Sequence, residues 1–202
     1  MMLSILTIFA ILRVTVGDHE LTTAKARFEE HKVVPDVVPV APPTTVEVDY
    51  GNGVSLHLGN VLTPTQVKSP PKSLSWEAEP GALYTLLMTD PDAPSRENRT
   101  ISEVKHWLVV NIPGTAVNQG EEIAGYRGSG PPKNTGLHRY VVLVYKQPTR
   151  LEITEKRVPS SSRENRYKWS ASKFAAQYNL GDPYAGNFYQ AEWDSYVDTI
   201  PK

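Results

Sequence analysis

A mostly β fold with peripheral α-helices is what this sequence predicts, on three observations. Residues 83–89, 106–112 and 139–145 are apolar runs without polar alternation, as strands buried on both faces of a sheet are. Prolines number 17 against 13 glycines, spread so that few stretches can hold a long helix. Only residues 163–179 carry a clear helical period, with Tyr167, Ala171, Phe174, Ala175 and Tyr178 on one side and Asn179-Leu180-Gly181 as a stop.

Taken in order, residues 1–12 are an apolar run too short to span a bilayer comfortably. Arg13 interrupts it, and Thr15-Val16-Gly17 offers the small residues of a cleavage site, so residues 1–17 are expected to be a secretory signal peptide. Residues 18–43 read as an N-terminal arm. Leu21, Ala24, Phe28 and His31 recur at helical spacing, then the proline-rich 33–43 stretch is expected to be extended rather than helical. The domain proper is expected over 44–202. Residues 44–50 alternate as a half-buried strand, and Gly51-Asn52-Gly53 turns the chain into a second strand over 54–58. Shorter runs at 61–67 and 73–76 precede the three central strands, and 187–193 reads as a last strand.

Composition removes several function classes. The net charge of −1 leaves no basic footprint for nucleic acid and no polybasic membrane patch. No later run approaches the length of a membrane span, so no stable membrane insertion is expected. Absence of cysteine excludes thiol catalysis, disulfides and Cys-zinc sites, and leaves packing to stabilise a secreted chain.

The chemistry concentrates in two loops hung from central strands, a rigid mounting for a site. The first is Asp90-Pro91-Asp92-Ala93-Pro94-Ser95-Arg96, with His106 downstream. The second runs from Gly128-Ser129-Gly130-Pro131-Pro132 through Gly136-Leu137-His138-Arg139-Tyr140. Imidazoles, glycine-loop N–H groups and the Tyr140 hydroxyl suit a small anion, while Asp90 and Asp92 suit an accompanying ammonium. The bland alternative is that Arg96 and Arg139 pair with these aspartates and stitch the loops together. Strand alternation points Arg139 away from His138 and Tyr140, towards a structural role. The same alternation turns Lys105 away from His106. Asn98-Arg99-Thr100 is an N-glycosylation sequon in the loop after the first motif.

These two segments resemble the phosphatidylethanolamine-binding protein family, also known as Raf kinase inhibitor proteins. The resemblance covers residues 45–200, including Leu62-Thr63-Pro64-Thr65-Gln66-Val67 and Tyr189-Gln190-Ala191-Glu192-Trp193. It implies a single β-sandwich-like domain with a pocket for phosphate, phosphorylethanolamine or a phospholipid headgroup, formed by Asp90, Asp92, His106, Gly130, Pro131, Pro132, His138 and Tyr140. The pattern departs at Glu103-Val104-Lys105-His106, where many members carry Glu-Trp-His-His, and at Asn134, where glycine is usual. Asparagine tolerates the left-handed backbone that position requires. The tail closing at Ile200-Pro201-Lys202 is expected to give the pocket less cover.

The function expected is therefore a secreted, non-catalytic binder of phosphate-bearing anions. A secreted serine-protease inhibitor or other protein-interaction regulator is the alternative, and an odorant or host-defence role is compatible with either. Ser95, His106 and Asp90 invite a catalytic triad, but Ser95 sits in a proline-bounded turn with no strand–nucleophile–helix elbow. No cofactor is implied, and no His-x₃-His spacing suggests a metal.

Overall fold

A computed structural model describes residues 24–201. The expected signal peptide and the first residues of the arm lie outside the described residues. The three runs without polar alternation become β6 (Leu83–Asp90), β7 (Val104–Pro113) and β9 (His138–Lys146), buried almost throughout. They form the middle of a seven-stranded sheet. β10 (Ala185–Ala191) pairs antiparallel with β9, and β8 (Glu121–Ala124) with β7. The two-residue strands β1 (Thr44–Thr45) and β4 (Asn60–Val61) run parallel to β10.

A smaller sheet faces it. β2 (Glu47–Gly51) lies between β3 (Val54–Ser55) and β5 (Ser73–Ser75). Gly51 and Gly53, at φ of 85° and 76°, make the predicted turn between β2 and β3. One face of the large sheet packs Tyr84, Leu86, Met88, Trp107 and Val142 against Val48, Leu56 and Trp76 of the small-sheet side. The opposite face carries Leu87, Leu108, Val141, Leu143 and Tyr145, covered by helices. This is the predicted mostly β sandwich with peripheral helices.

Two expectations change. Residues 24–30 form helix α1, as the spacing of Ala24 and Phe28 predicted, but the next segment is not wholly extended. Val33–Asp36 makes one helical turn, α2, interrupted by extended angles at Val34. Pro35 is compatible with it because a first helical turn leaves its N–H groups without intrahelical partners. Phe28, Val33, Val37 and Val38 are buried in the helix-side core, so the arm covers the sheet rather than lying loosely upon it.

The second change is larger. The helix expected over 163–179 shrinks to α3 (Ala171–Gln177), capped by Ser170. Residues 163–170 instead bond to the edge of β7 and the segment before it. Lys105 N–H donates to Arg166 O (2.8 Å), Lys168 N–H to Ile101 O (3.0 Å), and Glu103 and Trp169 exchange backbone bonds at 3.1 Å. Asn165 and Lys168 take φ of 56° and 55°, angles no helix contains. Asn179 and Gly181, at 53° and 71°, end α3 where the sequence predicted.

Candidate functional site

Antiparallel pairing of β6 with β9 brings the end of one beside the start of the other, with Thr89 opposite Val141. The aspartate turn and the glycine–proline loop therefore meet. Between them is a cavity of about 220 Å³. Asp90, His106, Gly130, Pro131, Pro132, His138 and Tyr140 all line it, as the sequence predicted; Asp92 does not.

Asp90 organises one wall. Its Oδ1 accepts the Asp92 N–H at 2.7 Å and its Oδ2 accepts Nδ1–H of His138 at 2.9 Å. Thr135 donates its hydroxyl proton to Pro132 O (2.7 Å), so its oxygen is left to accept from Nε2 of His138 at 2.9 Å. Both ring nitrogens of His138 are thus engaged within the chain, so His138 offers a ligand shape rather than a spare N–H.

His106 is arranged differently. Its Nδ1–H donates to Arg127 O at 2.7 Å, which leaves Nε2 without a partner among the described residues. Burial holds this imidazole below its ordinary pKa against the opposing charge of Asp90, which favours a neutral ring whose Nε2 presents a lone pair. The Tyr140 ring packs edge-on to His106 (5.2 Å between centroids) and is stacked on Tyr189 (5.0 Å). Burial raises the Tyr140 hydroxyl well above its usual pKa, so it stays protonated.

The glycine loop closes the mouth. A Cβ on Gly130 would stand 3.2 Å from Cδ1 of Ile200, so the bare glycine lets the C-terminal segment approach. Asn134 takes φ 66° and Gly136 φ 72°, the left-handed angles expected of them. Val197, from the 3₁₀ turn Ser195–Thr199, and Ile200 both line the cavity. The C-terminal segment thus contributes to the cavity wall.

Asp92, expected from the sequence in the pocket, lies behind its wall. Its side chain is fully buried and accepts from Arg139 Nε (2.8 Å), Nη2 (2.6 Å) and backbone N–H (3.0 Å). Burial pushes its carboxyl up, but Arg139 outweighs that and holds it below the ordinary range. Arg139 faces away from the pocket, as alternation predicted. It also donates to His31 O and Lys32 O and pairs with Asp36, tying the arm to the sheet. Lys105 likewise faces away, paired with Glu155 and lying 5.3 Å over the Trp169 ring. The Ser95 oxygen accepts the Asn98 N–H (3.1 Å) and is outside the cavity, so it forms no triad with His106 and Asp90. Asn98 is exposed.

Sequence reasoning missed three arginines that line the cavity: Arg127, Arg163 and Arg166. Arg166 is a buried clamp whose guanidinium donates to Ser162 O, Lys105 O, His106 O, Gly125 O and Pro159 O. Burial, followed by the charge of Arg127, lowers its pKa to about 10, so it remains cationic. No local signal could have found Arg166, because its partners come from distant segments. Arg127, immediately before the glycine loop, was within reach of sequence reasoning.

The β-sandwich thus carries a small pocket lined by three arginines and two histidines at the end of its central strands. The model of the phosphatidylethanolamine-binding protein family matches residues 48–190, and the chain belongs to that family. It is 38% identical over 174 residues to "Putative odorant-binding protein A5" of Drosophila melanogaster, covering 86% of this chain and 82% of that one. It is 43% identical over 163 residues to a 26 kDa secreted antigen of Toxocara canis, covering 79% of this chain and 61% of the antigen. Among solved structures, that of CG7054 in solution is 45% identical with a TM-score of 0.69, covering 85% of this chain and 99% of that one. A carboxypeptidase Y inhibitor, crystallised with its cognate proteinase, is 25% identical with a TM-score of 0.74, covering 86% and 97%.

Proposed function

We propose that this chain is a secreted, non-catalytic binding protein whose pocket takes a small phosphate-bearing anion, free or as a lipid headgroup. One observation carries the reading: Arg127, Arg163 and Arg166 line a cavity in which Asp90 is the only carboxylate among the described residues, and it is already bonded to His138. Positive charge there exceeds negative, and a ligand must balance it. The binding set is Asp90, His106, Gly130, Pro131, Pro132, His138 and Tyr140, with Asp92 serving as scaffold. A binding role is favoured over covalent catalysis because, among the described residues, the wall supplies no serine, cysteine or lysine and the Asp90 carboxylate is bonded to His138. Secretion is supported by the leader-like residues 1–17 and by the secreted relative, and in that setting Asn98 would accept a glycan. The test is a titration of the full mature chain with inorganic phosphate and phosphorylethanolamine, followed by NMR amide shifts and melting temperature. Shifts centred on Gly130 and His106 that vanish in His106→Ala are expected, and no shift at millimolar ligand would refute the reading.

A second reading has its own support. The likeness to a carboxypeptidase Y inhibitor favours a secreted regulator of serine proteases. Inhibition assays against carboxypeptidase Y and trypsin- and chymotrypsin-like enzymes decide it, and no inhibition at micromolar chain removes it.

A further inference from the structure

A second cavity, of about 470 Å³, lies on the helix-covered face of the large sheet and shares no lining residue with the arginine-lined one. That volume is within the roughly 300–1,000 Å³ of small-molecule sites. The arm closes it at Pro39, α3 at Ala175 and Ala176, and the segment between α3 and β10 at Asn179, Asp182 and Pro183. The left-handed angles of Asn179 and Gly181, 53° and 71°, turn the chain after α3 and bring Asp182 into the wall.

Tyr145 of β9 supplies the inner surface. It is 1% exposed, on the face that carries Val141 and Leu143. Its hydroxyl makes no hydrogen bond among the described residues and is not sealed from solvent, so the little surface it keeps includes that oxygen. A polar group this deeply set finds a partner as a rule, and the cavity it lines is the direction left open. Burial, then the charges of Glu103 and Asp182, push this hydroxyl far above its usual pKa, and no cation among the described residues offsets them. The phenol stays protonated while its oxygen keeps free lone pairs. Asp182 is exposed and has neither ion pair nor hydrogen bond among the described residues, and the Asn179 side chain is likewise unbonded. No lysine or arginine lines the cavity among the described residues, so the formal charge on its wall is negative.

Acceptors without donors, beside a carboxylate without a counter-ion, suit an ammonium, which brings three N–H groups and a positive charge. Pro39, Ala175, Ala176 and Pro183 suit an apolar chain behind it. We propose that this cavity is a second ligand site, for a small primary amine on an apolar chain, with the ammonium held by the Asp182 carboxylate and the Tyr145 hydroxyl oxygen. The site is independent of the anion pocket and stands or falls without it. Because Asp182 is exposed, its attraction is screened by salt, and the binding is weak and strongest at low ionic strength.

The test follows NMR amide shifts of the full mature chain at low ionic strength during titration with hexylammonium. Hexanol, hexanoate and hexyltrimethylammonium are the matched controls: the first lacks the charge, the second reverses it and the third cannot donate a hydrogen bond. Saturable shifts over residues 172–183 are expected at millimolar hexylammonium, with each control binding there at least about threefold more weakly. Asp182→Asn, at an exposed and unpaired position, should keep its melting temperature and lose about two- to fivefold in affinity. Tyr145→Phe removes only an unbonded hydroxyl, so it too should keep its melting temperature, and should lose about two- to tenfold. Absence of shifts over 172–183 at millimolar amine overturns the site. Hexanol or hexyltrimethylammonium matching hexylammonium overturns the ammonium assignment, and unchanged affinity in either variant overturns the arrangement proposed for it.

Discussion

Asp90 and Asp92 stand two residues apart in one turn and do opposite work. Asp90 bonds His138 and lines the cavity. Asp92 is sealed beneath Arg139, which reaches on to Asp36 and the carbonyls of His31 and Lys32 and fastens the arm to the sheet. The strand that faces them explains the split, since β9 directs His138 and Tyr140 one way and Arg139 the other. Identical side chains in one motif thus divide between cavity wall and scaffold according to the neighbour each meets. The teaching is that a motif's acids are assigned by their partners, not by their spacing.

Arg139→Met leaves Asp92 buried without a partner and should cost about 3–5 kcal/mol in urea unfolding. Arg139→Met with Asp92→Leu should recover much of that, because a well-packed apolar pair replaces a buried ion pair at little cost. A loss below about 1 kcal/mol in the single variant would remove the distinction between the two faces.

A third carboxyl at this corner, Glu103, should produce the next largest effect. It is buried, accepting from Thr89 Oγ (3.1 Å) and Ala171 N–H (3.1 Å), and burial raises its pKa from 4.5 to about 7. The folded state therefore retains a proton that the unfolded chain has lost. The associated stability is full below pH 4.5 and declines as pH rises towards 7. Glu103→Gln should flatten this decline and gain up to about 3 kcal/mol relative to the parent at pH 8, with no gain at pH 4. Equal pH profiles for parent and variant would show that Glu103 ionises normally.

Asp90→Asn should cost about 1–3 kcal/mol through the His138 bond, and should abolish the phosphate-induced amide shifts while leaving the arm protected from hydrogen exchange. Loss of arm protection instead would show that the two faces act as one unit. Smallest is Asp36→Asn. Its carboxylate is about one-fifth exposed, so the expected loss is roughly 0.5–1 kcal/mol, with faster exchange in residues 24–30 and unchanged phosphate binding.

Much of this was legible along the chain. Residues 83–89, 106–112 and 139–145 announced central strands because burial on both faces removes the need for polar alternation. The glycine–proline loop and the opposed direction of Arg139 followed from backbone rules. The helix over 163–179 did not survive, although Tyr167 and Ala171 fit its period. Long-range bonds from Ile101, Glu103 and Lys105 hold 163–170 open, and Tyr167 stands at the cavity. That segment supplies Arg163 and Arg166, so the same error concealed part of the site's charge.

Periodicity, turns and the two loops that carry Asp90, His138 and Tyr140 could be read along the chain, since these depend on neighbours near in sequence. Only the tertiary structure decided which aspartate was free, which histidine nitrogen was unpaired and which arginines lacked a counter-ion. Those are questions of charge balance in a buried space, and each is answered by partners from distant segments that no local spacing encodes.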